Sequence, residues 1–356
     1  MCGNGKRKPR PCPTGSIDNW RTVDKVRAYS VDEQLTWDEL PTSTMEELPA
    51  LEFGDFKPPP IDASRSSAVA PRSAAKVEVN RYTLKMPALA TVTGNFRVTA
   101  VGQDSDTHHI VLDFGSIPFA VLEGQSIGII PPGLDSGGRA HHARQYSIAS
   151  PRNGERPDYN NLALTVKRVT VDYTGNPVRG IASNYLCDLR KGDEVKVIGP
   201  FGSTFLMPDD PEAHLLMICT GTGSAPMRAM TERRRRLENG SNRGNLMLFF
   251  GARTPEELPY FGPLTSLPVA FINTNLAFSR LKGQPRRYVQ DVMLENSAAV
   301  GKLLKSDGTH IYVCGLKGME EGVMEALHAI STEHGLDWPT LHGRLKMEGR
   351  IHLETY

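Results

Sequence analysis

The chain has 356 residues, enough for two ordinary domains with sizeable cores plus an extension. Its 41 Lys and Arg balance 40 Asp and Glu, so no global charge draws it to nucleic acid or to an anionic membrane surface. No apolar run approaches the roughly 20 residues of a membrane span, and the five cysteines are odd in number and widely scattered, which argues against a disulfide framework and for a reducing, cytoplasmic setting.

The chain starts basic and Pro-rich, without the apolar core of a signal peptide. Cys12-Pro13 resembles the closing end of a bacterial two-cluster ferredoxin motif, C-x-x-C-x-x-C-x-x-x-C-P. Counting back from Cys12, the other ligand positions hold Lys8, Gly5 and Cys2, so two of four thiolates are present and an iron-sulfur cluster is not expected. Residues 1–20 therefore read as a truncated or degenerate ferredoxin module, the alternative being a plain Cys-Pro turn. Residues 21–86, with acidic turns, Pro58-Pro59-Pro60 and a Ser/Ala/Arg stretch, read as a linker that drapes over the next domain or hangs free.

From Leu89 to Met207 the pattern changes to short β-rich runs, among them HHIVLDF, QSIGIIPP, LALTVKRV and EVKVIGPFG, separated by Gly, Pro and Asp turns. This predicts an antiparallel β-barrel domain over 87–210. Within it Arg144 brings a planar guanidinium suited to a pyrophosphate, Tyr146 a flat stacking ring and Ser147 a small hydroxyl. Gly180-Ile181-Ala182-Ser183, opening a helix at SNYLCDL, offers amides and a hydroxyl to the same phosphates. The pairs His108-His109 and His141-His142 lack any further ligand spacing, and neighbours on a strand face opposite ways, so surface loops are expected there and no metal.

Residues 211–356 alternate strands with helices, which predicts a parallel, doubly wound α/β domain binding ligands at the carboxyl ends of its strands. HLLMIC, Thr220-Gly221-Thr222-Gly223-Ser224-Ala225-Pro226 and an Arg-rich stretch read as strand, glycine turn and helix, a cradle for an anion or simply a turn. Gly251-Ala252-Arg253 and Cys314-Gly315-Leu316 fall at two further strand ends. Ser279-Arg280-Leu281-Lys282-Gly283-Gln284-Pro285-Arg286-Arg287-Tyr288-Val289-Gln290 gathers hydroxyl, guanidinium and phenol groups around room for one extra phosphate, with no acid to grip a free ribose, so NADPH is the expected ligand. Arg233 to Arg236 cover every helix face, so at least one stem must lie over the core. The rest are a solvated surface or a dock for an acidic carrier.

Arg144-Gln145-Tyr146-Ser147, the Gly221 turn, Cys314-Gly315 and the closing Glu354-Thr355-Tyr356, in that order, resemble the plant-type ferredoxin-NADP(+) reductase family over roughly Met86 to Tyr356. More narrowly, NNLALTVKRV, GPFGSTFLMP, FFGARTPEELPYFGPL and GLKGMEEGV resemble the reductase component of benzoyl-CoA oxygenase (epoxidase). The resemblance implies FAD held by Arg144, Tyr146, Ser147, Gly180 and Ser183, with Lys167 near the flavin or a nicotinamide phosphate and Thr165 where the family has cysteine. It implies NADP held by Thr222, Gly223, Arg253, Gly315 and Leu316, and its 2'-phosphate by Ser279, Arg280, Arg286, Tyr288 and Gln290. Ser147, Cys314 and Glu354 would line the hydride path, with Tyr356 as a lid on the flavin face.

The expected activity is an FAD-dependent NADPH reductase that passes single electrons to a ferredoxin, a flavodoxin or an oxygenase component, in aerobic benzoyl-CoA degradation on the narrower resemblance. An NADPH oxidase or diaphorase lacking its cluster, and a non-catalytic flavin-binding module, are the alternatives.

Overall fold

A computed structural model describes residues 75–157, 159–172, 174–237 and 244–356. The Cys2 and Cys12 motif and most of the expected linker lie outside the described residues.

Six antiparallel strands come first: β1 (Ala88–Arg97), β2 (Thr107–Asp113), β3 (Ser126–Ile130), β4 (Arg144–Ser147), β5 (Asn161–Lys167) and β6 (Glu194–Phe201). They pair in the order β4-β3-β6-β1-β2-β5. Ile148, just past β4, bridges Leu164 of β5, which joins the two edges into a barrel. β1 alternates buried Ala88, Ala90 and Val92 with outward Leu89, Thr91 and Thr93, the period-two pattern of a strand with one wet face. Val92, Ile110, Leu112, Ile127, Ile129, Leu162 and Leu164 fill the interior, each such side chain contributing about 1.5–3 kcal/mol on burial. Helix α1 (Ile181–Asp188) lies against β5 and places Leu186 and Cys187 in that core. Part of the expected linker belongs to this unit: Asn80 N donates to Pro200 O (2.8 Å), and the Tyr82 ring stacks on Phe119.

The second unit is a five-stranded parallel sheet in the order β11-β10-β7-β8-β9, made of β7 (His214–Thr220), β8 (Leu246–Ala252), β9 (Asn273–Phe278), β10 (Thr309–Gly315) and β11 (Ile351–Thr355). Alternate residues of the central strands feed two cores. Leu215, Met217 and Cys219 face α2 (Ser224–Arg236), while Leu216 and Ile218 face α4 (Val289–Glu295), α5 (Ser297–Leu304), α6 (Lys317–Glu333) and α7 (Trp338–Met347). A short helix, α3 (Phe261–Thr265), follows β8. Strand order reverses between β7 and β10, so this is the switch point where an open α/β sheet leaves a crevice at its carboxyl edge. The helical stretch after β9 is two helices, α4 and α5, and the first starts at Val289, where Tyr288 N donates to the Asp291 carboxylate (2.8 Å).

The connection 203–213 between the units is gripped by the sheet. His352 Nδ1 meets Thr204 O (2.6 Å), Tyr312 O–H donates to Leu206 O (2.7 Å), and Arg234 donates to the carbonyls of Pro211, Asp210 (3.0 Å) and Ala213 (2.7 Å). Arg234 is thus the arginine of the run that lies buried. Arg236 donates to Gly154 O (2.6 Å) and Glu155 O (2.8 Å), and Arg235 pairs with Glu232. At least these three are spent inside the protein, which weakens the docking reading of the run.

His109 also departs from the surface loop expected of it. It is buried on β2 facing α2 and the segment before α3, while His108 points the other way to Asn95 (2.7 Å) and Asp106 (3.0 Å). His141 and His142 do lie in a loop. Among the described residues no group of three or more His, Cys, Asp or Glu is arranged to hold a metal ion, and no helix is long and apolar enough to cross a membrane.

Candidate active site

The expected cradle forms where β7 ends. Residues Gly221–Gly223 make a 3-10 turn that runs straight into α2, and neither element has a side-chain cap. The amides of the first helical turn therefore lack the side-chain acceptors that usually satisfy them, which suits them to an anionic ligand. Glycine is required by crowding: a Cβ on Gly223 would lie 2.1 Å from Cys314 O. Gly315, at φ +144°, would place one 2.4 Å from Thr220 Oγ1, and Leu316 N donates to that same hydroxyl (3.2 Å). The carboxyl ends of β7 and β10 thus touch through glycine, a contact that any side chain would force apart.

The chain end closes the third side. β11 pairs with β10 in parallel, setting Glu354 beside Cys314 and Thr355 beside Gly315. Tyr356 N donates to Gly315 O (3.0 Å), Lys317 N donates to the Tyr356 main-chain oxygen (3.0 Å), and Thr355 donates to Glu320. The Tyr356 hydroxyl reaches Thr222 Oγ1 at 2.6 Å while the residue stays 62% exposed, so its ring covers the cradle from the solvent side. Burial pushes the Glu354 carboxyl up to about 7 and raises the Cys314 thiol well above its ordinary value. Near neutral pH Glu354 can hold or release a proton, whereas Cys314 is an uncharged packing surface.

A second cluster follows along the same edge. Ser279 N donates to Ala252 O (3.1 Å) and Arg280 N to Arg253 O (2.8 Å), so the loops after β8 and β9 are stitched together. Arg280 and Arg286 are exposed, Tyr288 is the residue just before α4, and the Gln290 side chain lies against Gly322 of α6. Arg287, between them, pairs instead with Glu295. Lys167, at the end of β5, lies near Arg253; partial burial first, and that neighbouring cation second, lower its ammonium.

On the barrel, β4 carries Arg144 outward and packs the half-buried Tyr146 ring against the core. Among the described residues the only hydrogen-bond partner of the Arg144 guanidinium is Ala143 O, 3.5 Å away, which leaves its fork open to a ligand. Ser183 differs from its expectation as a ready phosphate donor: its hydroxyl accepts from Val169 N (3.1 Å) and donates to Gly180 O (3.3 Å), holding the turn before α1. Gly180 sits 2.7 Å, by its would-be Cβ, from that hydroxyl.

The structure therefore brings Thr222, Gly223, Cys314, Gly315, Leu316, Glu354 and Tyr356 into one crevice, with Arg253, Ser279 and Arg280 beside it. Just beyond β4, which carries Arg144, Tyr146 and Ser147, Ala149 packs with Ala163 and Val111 against Ala225 of α2. These features fit a flavin on β4 and a nicotinamide dinucleotide at the switch point: a glycine turn without a side-chain cap, an unengaged guanidinium and a carboxyl poised near neutrality. Sequence reasoning gave no role to Glu155, Arg228 and Tyr260, whose contacts join segments distant in the chain.

Residues 217–325 match the family described as "Oxidoreductase NAD-binding domain". The chain is 37% identical over 308 residues to a ferredoxin-NADP reductase of Thermosynechococcus vestitus, covering 83% of this chain and 80% of that protein. It is 37% identical over 303 residues to the cyanelle ferredoxin-NADP reductase of Cyanophora paradoxa (82% and 83%) and 36% identical over 291 residues to the chloroplastic leaf isozyme 1 of Arabidopsis thaliana (79% and 80%). Among solved structures, the ferredoxin-NADP+ reductase of Plasmodium falciparum superposes with a TM-score of 0.60 at 22% identity, over 78% of this chain and 99% of that one.

Proposed function

Because the chain belongs to the ferredoxin-NADP reductase family, we propose that it takes hydride from NADPH at the β7/β10 crevice and delivers electrons singly to a ferredoxin. When bound, FAD supplies the conversion of a two-electron hydride into single electrons. Arg144 holds its pyrophosphate, the Tyr146 ring stacks on it and Ser147 offers a hydroxyl at its edge. The Gly221–Gly223 turn and the start of α2 take the nicotinamide-side phosphates, while Ser279, Arg280, Arg286, Tyr288 and Gln290 surround the 2'-phosphate. Lys167 and Arg253 add positive charge between the two sites. Tyr356 excludes water from the reacting face until the nicotinamide displaces it. Glu354, with its carboxyl near neutrality, holds the proton at that face, and Ser147 orients it.

The observation that carries this reading is the meeting of Thr222, Cys314, Glu354 and Tyr356 at the ends of β7, β10 and β11. The narrower assignment, supply of electrons to an aromatic acyl-CoA oxygenase in the cytoplasm, is supported by the four sequence stretches quoted above. An external ferredoxin is the acceptor that the relatives' names support, with a flavodoxin or the oxygenase component as the alternatives.

Anaerobic titration with NADPH, followed by visible absorption and then by addition of ferredoxin and cytochrome c, tests the proposal. Stoichiometric bleaching, with cytochrome c reduced only when ferredoxin is present, is the expected result. A yellow protein untouched by NADPH would sink it, and cytochrome c reduction without ferredoxin would favour a diaphorase.

A further inference from the structure

We infer that the buried pair of Arg228 and Glu155 is a positioning device that sets the nicotinamide cradle against the flavin-side strand and so governs the rate of hydride transfer. The inference rests on the proposed reductase reading and deepens it.

The two side chains belong to different units. Arg228 lies one turn into α2, five residues after the glycine turn ends at Gly223, and Glu155 lies on the barrel loop between β4 and β5. Arg228 Nη1 and Nη2 each donate to one Glu155 oxygen at 2.7 Å, and Nη1 also donates to Ala149 O at 2.8 Å. Ala149 is two residues beyond Ser147. One guanidinium therefore ties the helix that presents Thr222 and Gly223 to the strand that presents Tyr146 and Ser147, with Ala225 packed against Ala149 and Ala163 beside it.

A single fork fixes a point; a direction needs a second. Arg236 supplies it eight residues further along the same helix, about 12 Å by helical rise, through its bonds to Gly154 O and Glu155 O. The far side of Glu155 is backed by His109, whose Nε2 is 3.6 Å away and whose Nδ1 meets the Tyr260 hydroxyl at 3.0 Å. That hydroxyl also meets Thr165 Oγ1 at 2.6 Å. Tyr260 N donates to Val98 O (3.1 Å) and Ala100 N to Glu256 O (2.9 Å), so the loop following Arg253 is fastened to the barrel as well.

Burial opposes the Glu155 charge, but Arg228 and then His109 outweigh it and hold the carboxyl well below its ordinary range. The pair is therefore ionised at neutral pH. Ions buried at a boundary are poor sources of net stability but are geometrically exacting. Hydride transfer rewards that exactness, because a displacement of about 1 Å from a near-attack geometry costs on the order of a hundredfold in rate. None of these side chains is among the proposed cofactor contacts, so their effect runs through the placement of Thr222 and Ser147. Lysine at 228 keeps the charge yet cannot fork both carboxylate oxygens and reach Ala149 O.

The test compares wild type, Arg228→Lys and Glu155→Gln in anaerobic single-turnover reduction by NADPH, with NADPH affinity measured separately. Amide hydrogen exchange at Ala100 and Tyr260 is followed in the same proteins without nucleotide. We expect hydride transfer to slow by tenfold or more, affinity to stay within about threefold, and both amides to exchange faster. Unchanged transfer, or an affinity loss that accounts for the whole loss of rate, would overturn the inference. Should either variant fail to fold, Arg236→Gln removes the second anchor and is judged by the same readouts. A wild-type protein that NADPH fails to reduce defeats the reductase reading itself, whereas normal wild-type reduction with indifferent variants defeats only the positioning role.

Discussion

The Tyr356 hydroxyl sits 2.6 Å from Thr222 Oγ1, so the residue just past β11 is hydrogen-bonded to the glycine turn beneath it. Main-chain bonds from Tyr356 to Gly315 and Lys317 hold it there. On the proposed reading, a nicotinamide ring entering the crevice breaks the hydroxyl contact and moves the ring, and part of its binding free energy is consumed in doing so.

Tyr356→Ser removes that competitor. The expected outcome is tighter binding of the nicotinamide end, on the order of tenfold or about 1.4 kcal/mol, together with measurable reduction by NADH. Difference-spectrum titration with oxidised nucleotide checks it. Unaltered affinity would mean that the ring already lies clear of the ligand path.

On the proposed reading, Arg280 separates NADPH from NADH. Its backbone is pinned by Arg253 O and its guanidinium is exposed, ready to close on a phosphate. Arg280→Ala should cost on the order of 2 to 4 kcal/mol of NADPH binding while leaving NADH affinity unchanged. Equal effects on both nucleotides, measured by steady-state kinetics and direct titration, would remove the 2'-phosphate reading of this loop.

The barrel and the parallel sheet were legible in the sequence because each has its own hydrophobic rhythm: alternation in β1, and unbroken apolar runs such as HLLMIC in a strand covered on both faces. The cradle was legible because glycines at 221 and 223 follow such a run. The closing strand β11 was not: IHLET is short and half polar, and only its pairing with β10 shows that Glu354 lies beside Cys314. Nor did sequence disclose the fate of Arg233 to Arg236. Helical periodicity placed one stem over the core, but the carbonyls that bind Arg234 and Arg236 belong to residues 153–155 and 210–213, which only the folded chain brings near. His109 was misplaced for the same reason, since its partners Tyr260 and Glu155 are 151 and 46 positions away (260 − 109; 155 − 109).

His310 and His352 are buried with parallel rings, 6.1 Å between centroids, at the amino edge of the parallel sheet. His310 Nδ1 has no hydrogen-bond partner among the described residues. Burial, assisted by His352 and by Arg350 and Arg234, lowers His310 to about 3, and burial lowers His352 to about 4. The neutral rings are favoured in the fold, so their contribution is complete above the unfolded value near 6.5 and is lost as pH falls from there, down to about 4 for His352 and about 3 for His310. Each ring adds a slope of up to about 1.4 kcal/mol per pH unit in that window. Denaturant melts between pH 4 and 7 should show stability falling on acidification, and His310→Phe should flatten the curve. A variant curve parallel to wild type would refute the assignment.

Glu354 gives the opposite sign. Burial raises its carboxyl to about 7, so the folded protein favours the neutral acid. Its stabilising contribution is complete below the unfolded value of about 4.5 and is lost as pH rises through 7. The same titration controls the proton held at the proposed hydride face, which is mostly present at pH 6 and mostly gone at pH 8. Single-turnover reduction by NADPH should therefore change with an inflection near pH 7 that Glu354→Gln abolishes, while the variant gains stability relative to wild type at pH 8 compared with pH 5. The two readouts separate a proton-holding role from a packing one: the stability difference alone, with the rate profile unmoved, would leave Glu354 a half-buried carboxyl that takes no part in the reaction.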